Sequence, residues 1–473
     1  MKKTLLCLFS VIGISSFAQE HFSGINTSRR GGLLNADINP AELANMSSKY
    51  DVNVFNFSGN FANNKVAFGD FIDGGDDFEN ILFSGNENVN MRVDVEILGP
   101  ALAFQVNKWA FAISSSAKVQ ASLVDINTTL GNAVTNGGVD NITEVYNILA
   151  SENQRAAGIS WGEIGLSIAR ELYDSEEHKI SAGITFNLLF PGTYANMGAS
   201  RFEGTITNNF GDVSLTDASA EVNIAYSGSL AGDFSESDNF TEFFAGGLNG
   251  FSTDIGVNYR WKDKSNFTLT KNSNDEDDNE NNTLTFQYSD PRNYKLNAGL
   301  AIRNMGSMTF KDDNNESVNY ELDVPTGEFL DLNQFEDAES IQDVEDILLQ
   351  SGYLTMDEAA KDFKVKLPTV FSAYADVKLY GKFYATGFVQ QKLNENNDND
   401  QITVQNIVSV TPRYSTNFFE VYAPLANNEI SGFTAGLGVR LGGFFIGSGS
   451  GISMLLDSDS KQADLYFGFR FGI

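Results

Sequence analysis

Cysteine is nearly missing. The 473-residue chain holds one, Cys7, and two histidines, His21 and His178. That excludes a disulfide scaffold and a cysteine-built zinc site. Basic residues are scarce too, 31 Lys+Arg against 62 Asp+Glu, for a formal net charge of −31. Such a balance argues against a nucleic-acid partner, whose phosphates select basic surfaces. Beyond the first residues there is no run of ~18 apolar residues, so no transmembrane helix is expected. What the chain does have is 42% hydrophobic residues, 38 Phe and 43 Gly. It is too apolar for a disordered acidic chain. The length suits two or three soluble domains, or one large β-barrel.

Residues 1–18 read as a secretory signal peptide. Lys2 and Lys3 precede an apolar run from Leu5 to Phe17, and Ser16-Phe17-Ala18 offers small residues for cleavage after Ala18 or Gln19. The run is too short to span a bilayer. Cys7 lies inside it, too early for a lipoprotein acceptor, so the mature chain is expected to lack cysteine.

From residue 51 to residue 473 the pattern has period two. Leu465, Phe467, Phe469, Phe471 and Ile473 alternate with Tyr466, Gly468, Arg470 and Gly472. Ile255, Val257, Tyr259 and Trp261 alternate with Asp254, Gly256, Asn258 and Arg260. Similar segments begin at Ile180, Leu296, Phe371 and Phe433. One face is apolar; the other carries Gly, Ser, Asn and charges. Segments of roughly 9–13 residues match tilted strands crossing a bilayer, whereas strands of soluble sheets average about 5–6. Unpaired edges are not tolerated in lipid, so the sheet must close. The expectation is an all-β, transmembrane antiparallel barrel of about 14 strands. The aromatic closing run Leu465 to Ile473 resembles the terminal strand by which outer-membrane proteins are recognised. The resemblance makes the barrel-insertion machinery a partner during biogenesis.

Four Asn/Asp-rich stretches, 70–80, 272–282, 311–317 and 394–400, are expected as solvated loops on a cell-surface face. There they would meet outer-membrane lipid and lipopolysaccharide. None has EF-hand spacing, so no metal site is expected. Two helical interruptions stand out. Thr143 to Gln154 reads as a short helix. In the 337–363 stretch, Ile341, Val344, Ile347 and Leu348 have helical spacing, with Gly352 as a stop. There Thr355 and Glu358 fit a capping box for a second helix.

Residues 19–50 precede the first strand and are too few for a domain, but long enough to fold into a barrel lumen. Asn39 can cap a short helix with Pro40 at its first position. Here the chain resembles a domain-of-unknown-function family of Gram-negative outer-membrane barrels, found mainly in gliding and type IX-secreting bacteria. The matching residues are Ser28 to Gly31, Asn39 to Ala41, Leu367-Pro368 and the closing run from Gly436. The Asn-Pro-Ala element also resembles that of the long-chain fatty-acid transporter superfamily, which includes the barrel shuttle protein of type IX secretion. These resemblances imply a plugged barrel, with Arg29, Arg30, Gly31, Asn39, Pro40 and Ala41 as the plug motif.

Catalytic chemistry finds little footing. Ser175, Glu176, Glu177 and His178 are close in sequence, but a turn seldom arranges neighbours as a triad. Gly447 to Gly451 places no Ser at the centre of a nucleophile elbow and lacks the Lys of a phosphate loop. Its small residues fit tight curvature or close approach of the plug. No enzyme activity and no cofactor are expected. Asp254, Arg260, Arg303, Asp376, Lys378, Arg440 and Arg470 fall on polar strand faces. They read as a paired interior that anchors the plug, with a charged constriction as the alternative. The leading functional expectation is binding or passage of a hydrophobic small molecule, marked by an apolar pocket beside the plug and a lateral opening at a broken strand. The alternative is a scaffold barrel partnering secretion or gliding machinery.

Overall fold

The computed structural model describes residues 21–73, 78–135, 143–227, 246–263, 267–271, 284–288, 292–310, 316–335, 338, 340–360, 362–456 and 459–472. The signal peptide expected at 1–18, the 272–282 stretch, residues 311–315 of the 311–317 stretch and Ile473 lie outside them. No described helix is long and apolar enough to cross a membrane. Strands do that here.

Fourteen strands close into one ring. It starts with β1 (Tyr50–Asn63), then β2 (Val89–Leu98) continued by β3 (Ala101–Val106), then β4 (Trp109–Ile126). A strand of the loop region, β5 (Thr143–Ala150), intervenes in sequence. β6 (Gln154–Asp174) and β7 (His178–Asn209) resume the wall. After β8 (Asp212–Ser227), another loop-region strand, comes β9 (Gly250–Lys262). β10 (Phe267–Lys271) and β11 (Leu284–Tyr288) make a separate hairpin. The wall continues with β12 (Tyr294–Phe310). β13 (Glu316–Val324), β14 (Leu330–Asp331), β15 (Leu354–Ala360) and β16 (Phe363–Lys366) lie beyond it. Then follow β17 (Val370–Tyr380), β18 (Phe383–Lys392) and β19 (Ile407–Ser415). β20 (Phe419–Tyr422) with β21 (Leu425–Asn428), β22 (Gly432–Ala435) with β23 (Leu437–Leu441), β24 (Phe444–Ser448) and β25 (Gln462–Gly472) complete it. β25 pairs antiparallel with β1, Phe57 opposite Phe467, and shuts the ring.

The period-two pattern sorts the faces. Ile255, Val257 and Trp261 are 49%, 45% and 40% exposed on the outside, while Asn258 and Arg260 are buried inside. Leu465, Phe469 and Phe471 point out and Tyr466 points in. Aromatic rings gather outside near the strand ends, as in the stack of Trp109 on Phe111 and of Phe111 on Phe104. An apolar outside with an aromatic fringe, around a polar inside, is the construction of an outer-membrane barrel.

The ring's two ends differ. At one end four turns are short, Asn107-Lys108, Ser175 to Glu177, Gly381-Lys382 and Gly442-Gly443; the long connection from β9 to β12, with the β10–β11 hairpin, leaves from this same end, so the flanks of the 272–282 stretch lie away from the long-loop face expected for it. At the other, β7 runs on past the ring for a total of 32 residues. Its distal half pairs with β5 and β8, β8 with β13, and β13 with β15. This extra sheet has its own core, in which Phe202, Ile224, Tyr320 and Leu348 are buried together. Helix α5 (Ile341–Ser351) packs on it, capped by Ser340 and stopped by left-handed Gly352. The helices preceding it in sequence are α1 (Leu33–Ile38), α2 (Phe68–Asp73), α3 (Phe78–Leu82) and α4 (Thr128–Thr135); α6 (Gly451–Leu456) follows it.

Three local expectations are corrected. Thr143 to Ala150 is strand β5, not helix. Val145, Ile148 and Leu149 satisfy a helical stripe, yet Ile148 is buried between exposed Asn147 and Leu149, the alternation of an edge strand on β7. The capping box at Thr355 starts no helix; it lies in β15, because the open edge of β13 supplies a ladder. The acidic 70–80 stretch carries parts of α2 and α3 on the rim, where Phe68 and Phe78 have apolar surface to cover.

Candidate functional site

Residues 21–49 fill the ring, and the polar inner faces hold them. A 3-10 helix, Pro40–Asn45, begins at Asn39, whose Oδ1 accepts the Ala41 N–H at 3.0 Å. Three wall strands offer glycine against this corner. A Cβ on Gly183 would lie 2.5 Å from the Pro40 carbonyl carbon, and one on Gly256 2.0 Å from Asn39 Oδ1. Only a missing side chain permits that approach.

Glu42 follows and is the main ionic anchor. It lies 2.8 Å from Arg260, and Asn258, Asn297 and Tyr374 donate to its other oxygen at 3.0, 2.7 and 2.5 Å. Burial alone would raise the Glu42 carboxyl. Arg260 and these donors outweigh it and hold the group below the usual carboxylate range. A second anchor lies across the lumen. The Ser28 hydroxyl donates to Glu420 at 2.6 Å, Arg413 lies 3.3 Å from Glu420, and Asp376 lies 3.7 Å from Arg413.

The sequence-selected residues meet this plug in different ways. Arg29 donates to Tyr384 and, at 3.0 Å, to Asn293; Arg30 donates to Asn417 at 2.6 Å. Gly31 lies against Asn35. Arg470 pairs with Asp51 at 2.9 Å and also donates to the Arg30 carbonyl. Arg303 reaches the Asp37 carbonyl at 3.1 Å and Gln390 at 2.7 Å. Lys378 pairs with Asp263 at 2.5 Å, and Arg440 donates to the Gly442 carbonyl at 2.6 Å. Asp254 accepts from Asn304 N–H at 2.6 Å, and Asp376 from Tyr294 at 2.7 Å. Gly449, in the Gly/Ser run, lies against plug residue Ser23.

Sequence reasoning missed Glu42, Arg413 and Glu420. Each is a charge flanked by apolar or small residues at an inward position, a signal that the parity of the strands or the Pro40 corner could have supplied. It also missed a second closure. Gln401 to Asn406 fold inward and are all buried. Arg92 donates to the Thr403 carbonyl at 2.9 Å, and Arg155 holds the Gln401 carbonyl at 2.5 Å. The 394–400 stretch is tied down with it, since Tyr194 donates to the Asn399 carbonyl at 2.6 Å.

Between plug and loop remains a cavity of about 190 Å³. Polar and apolar surface line it in nearly equal parts, with Asp37, Glu96, Lys118 and Arg303 beside Leu34, Ile38 and Phe388, so it is mixed rather than the apolar pocket expected beside the plug. Asp37 opens onto it. Enclosure by the barrel and the neighbouring Glu96 push its carboxyl up to about 6. The wall strand is broken at Gly99-Pro100, beside this cavity, where the Asn53 amide donates to the Gly99 carbonyl at 2.9 Å. The apolar cavity is elsewhere. About 250 Å³ at the rim is lined by Phe61, Val66, Ala67, Phe68, Phe78 and Ala463, among others, with almost no polar surface.

The Ser175–His178 cluster is a turn clasp. The Ser175 hydroxyl accepts the His178 N–H at 3.0 Å and donates to its carbonyl at 3.1 Å. The His178 ring instead lies 2.8 Å from the Tyr259 hydroxyl on the outer face.

The chain belongs to DUF5723, a family of unknown function. The family's model matches residues 40–449, from the Pro40 corner almost to the end of the Gly/Ser run. No curated protein sequence matches the chain. Among solved structures, the chain is similar to a TodX deltaS2S3 mutant monoaromatic hydrocarbon channel. The identity is 7% and the TM-score 0.46, covering 97% of this chain and 98% of that one. It is similar to a Pseudomonas aeruginosa FadL homologue at 8% identity and a TM-score of 0.41, covering 96% and 99%. It is also similar to the Ralstonia pickettii toluene transporter TbuX at 9% identity and a TM-score of 0.36, covering 96% and 99%.

Proposed function

We propose that this DUF5723 protein is a non-catalytic outer-membrane barrel that captures a small hydrophobic molecule at its rim, on the side of the long loops. In barrels of this kind long loops face the exterior and short turns the periplasm. The observation that carries the reading is the rim cavity between α2, α3 and the β1–β25 seam. A cavity of about 150 Å³ lined by apolar side chains stays dry and binds benzene. The rim cavity, at about 250 Å³, is larger and similarly apolar. The lumen is a poor route for such a molecule, because plug and inward loop fill it and charged side chains stand in the space between them. Transfer would follow the apolar outside into the membrane.

The test is titration of the full-length protein in detergent micelles with N-phenyl-1-naphthylamine, followed by displacement with toluene or a medium-chain fatty acid. Saturable, displaceable fluorescence that Phe78→Glu weakens about tenfold supports the reading. Equal binding by wild type and Phe78→Glu overturns it, provided both keep heat-modifiable migration on gels.

A scaffold reading rests on the extra sheet. Its edge strand β5 leaves Leu149 85% and Val145 61% exposed, and an open apolar edge invites a partner strand. Purification from the native membrane with a stoichiometric protein, lost in Leu149→Lys, would favour it.

A further inference from the structure

The outside of the ring is apolar, yet where β1, β3, β4 and β6 reach the short-turn end it carries cations. Lys49 precedes β1, Lys108 lies in the β3–β4 turn, and Arg170 is on β6; all three are exposed. The register sets them side by side. The Gln105 N–H donates to the Lys49 carbonyl at 3.0 Å, Val106 is opposite Trp109, and Trp109 is opposite Arg170. Lys49 and Arg170 are three strand steps apart, roughly 14 Å.

Aromatic rings occupy the same stretch of wall. The Arg170 guanidinium lies 4.8 Å from the centre of the Trp109 ring, and the Lys49 ammonium 5.7 Å from that of Tyr50. Tyr50 is opposite Phe104, which stacks on Phe111. Tyrosine and tryptophan on a lipid-facing wall sit at headgroup level, with hydrocarbon on one side and water on the other. The cations beside them are therefore at the level of lipid phosphates. Four residues further in, Leu102, Ile113 and Leu166 form an exposed apolar row in register across β3, β4 and β6.

The protein does not answer this charge itself. Among the described residues neither Lys49 nor Arg170 has an ion pair, and Lys108 shares Glu171 with Lys179, at 3.5 and 3.3 Å. The chain has 62 Asp+Glu against 31 Lys+Arg, so cations left without a carboxylate stand out. A net charge of −31 repels anionic lipid on average. Any such lipid kept against the wall must be kept locally.

We infer that this patch binds an anionic phospholipid of the leaflet on the short-turn side, its phosphate between Lys108 and Arg170 with Lys49 beside them, and its acyl chains along the Leu102, Ile113 and Leu166 row. Unpaired cations at the headgroup level and an apolar row leading inward from them match the two halves of such a lipid. The patch is at the opposite end of the ring from the rim cavity, so either reading can fail alone.

The test is native mass spectrometry of the full-length protein in delipidated micelles, titrated with dioleoylphosphatidylglycerol or with zwitterionic dioleoylphosphatidylethanolamine. The first phosphatidylglycerol adduct should appear at about one tenth of the concentration that phosphatidylethanolamine needs. Lys108→Gln and Arg170→Gln should each weaken that adduct about fivefold. Lys364→Gln, the same change of charge at an exposed position of β16 towards the other end, should leave it unchanged. Equal adduction of the two lipids by heat-modifiable wild type overturns the inference, as does an equal loss in Lys364→Gln. Displacement by equimolar inorganic phosphate also overturns it, because the cations would then hold a free anion. Should Arg170→Gln fail to fold, Lys49→Gln carries the same test.

Discussion

Glu42 on the plug and Arg260 on β9 lie 2.8 Å apart, with both side chains almost wholly out of solvent. Neither charge is tolerable there without the other. Glu42→Ala would leave Arg260 buried and uncompensated, at a cost of about 3–5 kcal/mol. The expected outcome is a lowered temperature for loss of heat-modifiable migration. A double variant, Glu42→Ala with Arg260→Met, should recover part of the loss, because it removes the orphan charge.

The plug also carries two carboxylates with opposite pH behaviour. Glu42 is held low in the folded state, so its contribution is complete above the ordinary carboxylate range and is lost as pH falls through its folded value. Asp37 is raised to about 6. The folded state therefore binds its proton more tightly than the unfolded one, and this group adds stability as pH falls from about 6 towards 4. Unfolding temperature should gain from Asp37 over that interval and drop below it as Glu42 protonates. Asp37→Asn should abolish the gain and leave the drop.

Gly183 and Gly256 are where the wall makes way for the Asn39-Pro40 corner. Gly183→Val should cost about 1–3 kcal/mol, the usual toll of overpacking. Gly387→Ala is the control. A Cβ there meets nothing within 4 Å, so a change within about 0.5 kcal/mol is expected. Thermal unfolding of the two variants side by side measures the difference.

In planar bilayers the wild type should show almost no steady conductance, because the plug and the 401–406 loop close the lumen separately. Arg440→Ala should leave it closed, since Arg440 holds the Gly442 carbonyl rather than lining a path. Arg92→Ala frees the Thr403 carbonyl and should produce flickering openings. Steady, ohmic currents through the wild type would refute double closure.

Leu348 joins α5 to the core of the extra sheet. Leu348→Ala should cost about 2–5 kcal/mol locally. Limited proteolysis should then cleave the 340–360 region while the ring stays intact.

The ring was legible because lipid and lumen impose opposite demands on alternate residues, so Ile255 and Arg260 declare their faces by parity. The Asn39-Pro40 cap and α5 were legible for a similar reason: each depends on neighbours a few positions away. What escaped depends on distant chain. β5 and β15 look helical until the edges of β7 and β13 are in place. Gln401 to Asn406 show no inward signal, since their burial comes from Arg92 and Arg155, which lie more than 240 positions away. The lumen cavity is assembled from the plug and strands scattered between β1 and β19, and no local spacing announces it.

The unbroken course of β7 has a mechanical consequence. Its pairing is bulged opposite Trp161 and again between Ser200 and Thr205, yet no loop intervenes, so wall and extra sheet are joined on that side by continuous strand. A load applied to the sheet from outside the cell would be carried as shear into β6 and β9, not absorbed by a swivel at the rim.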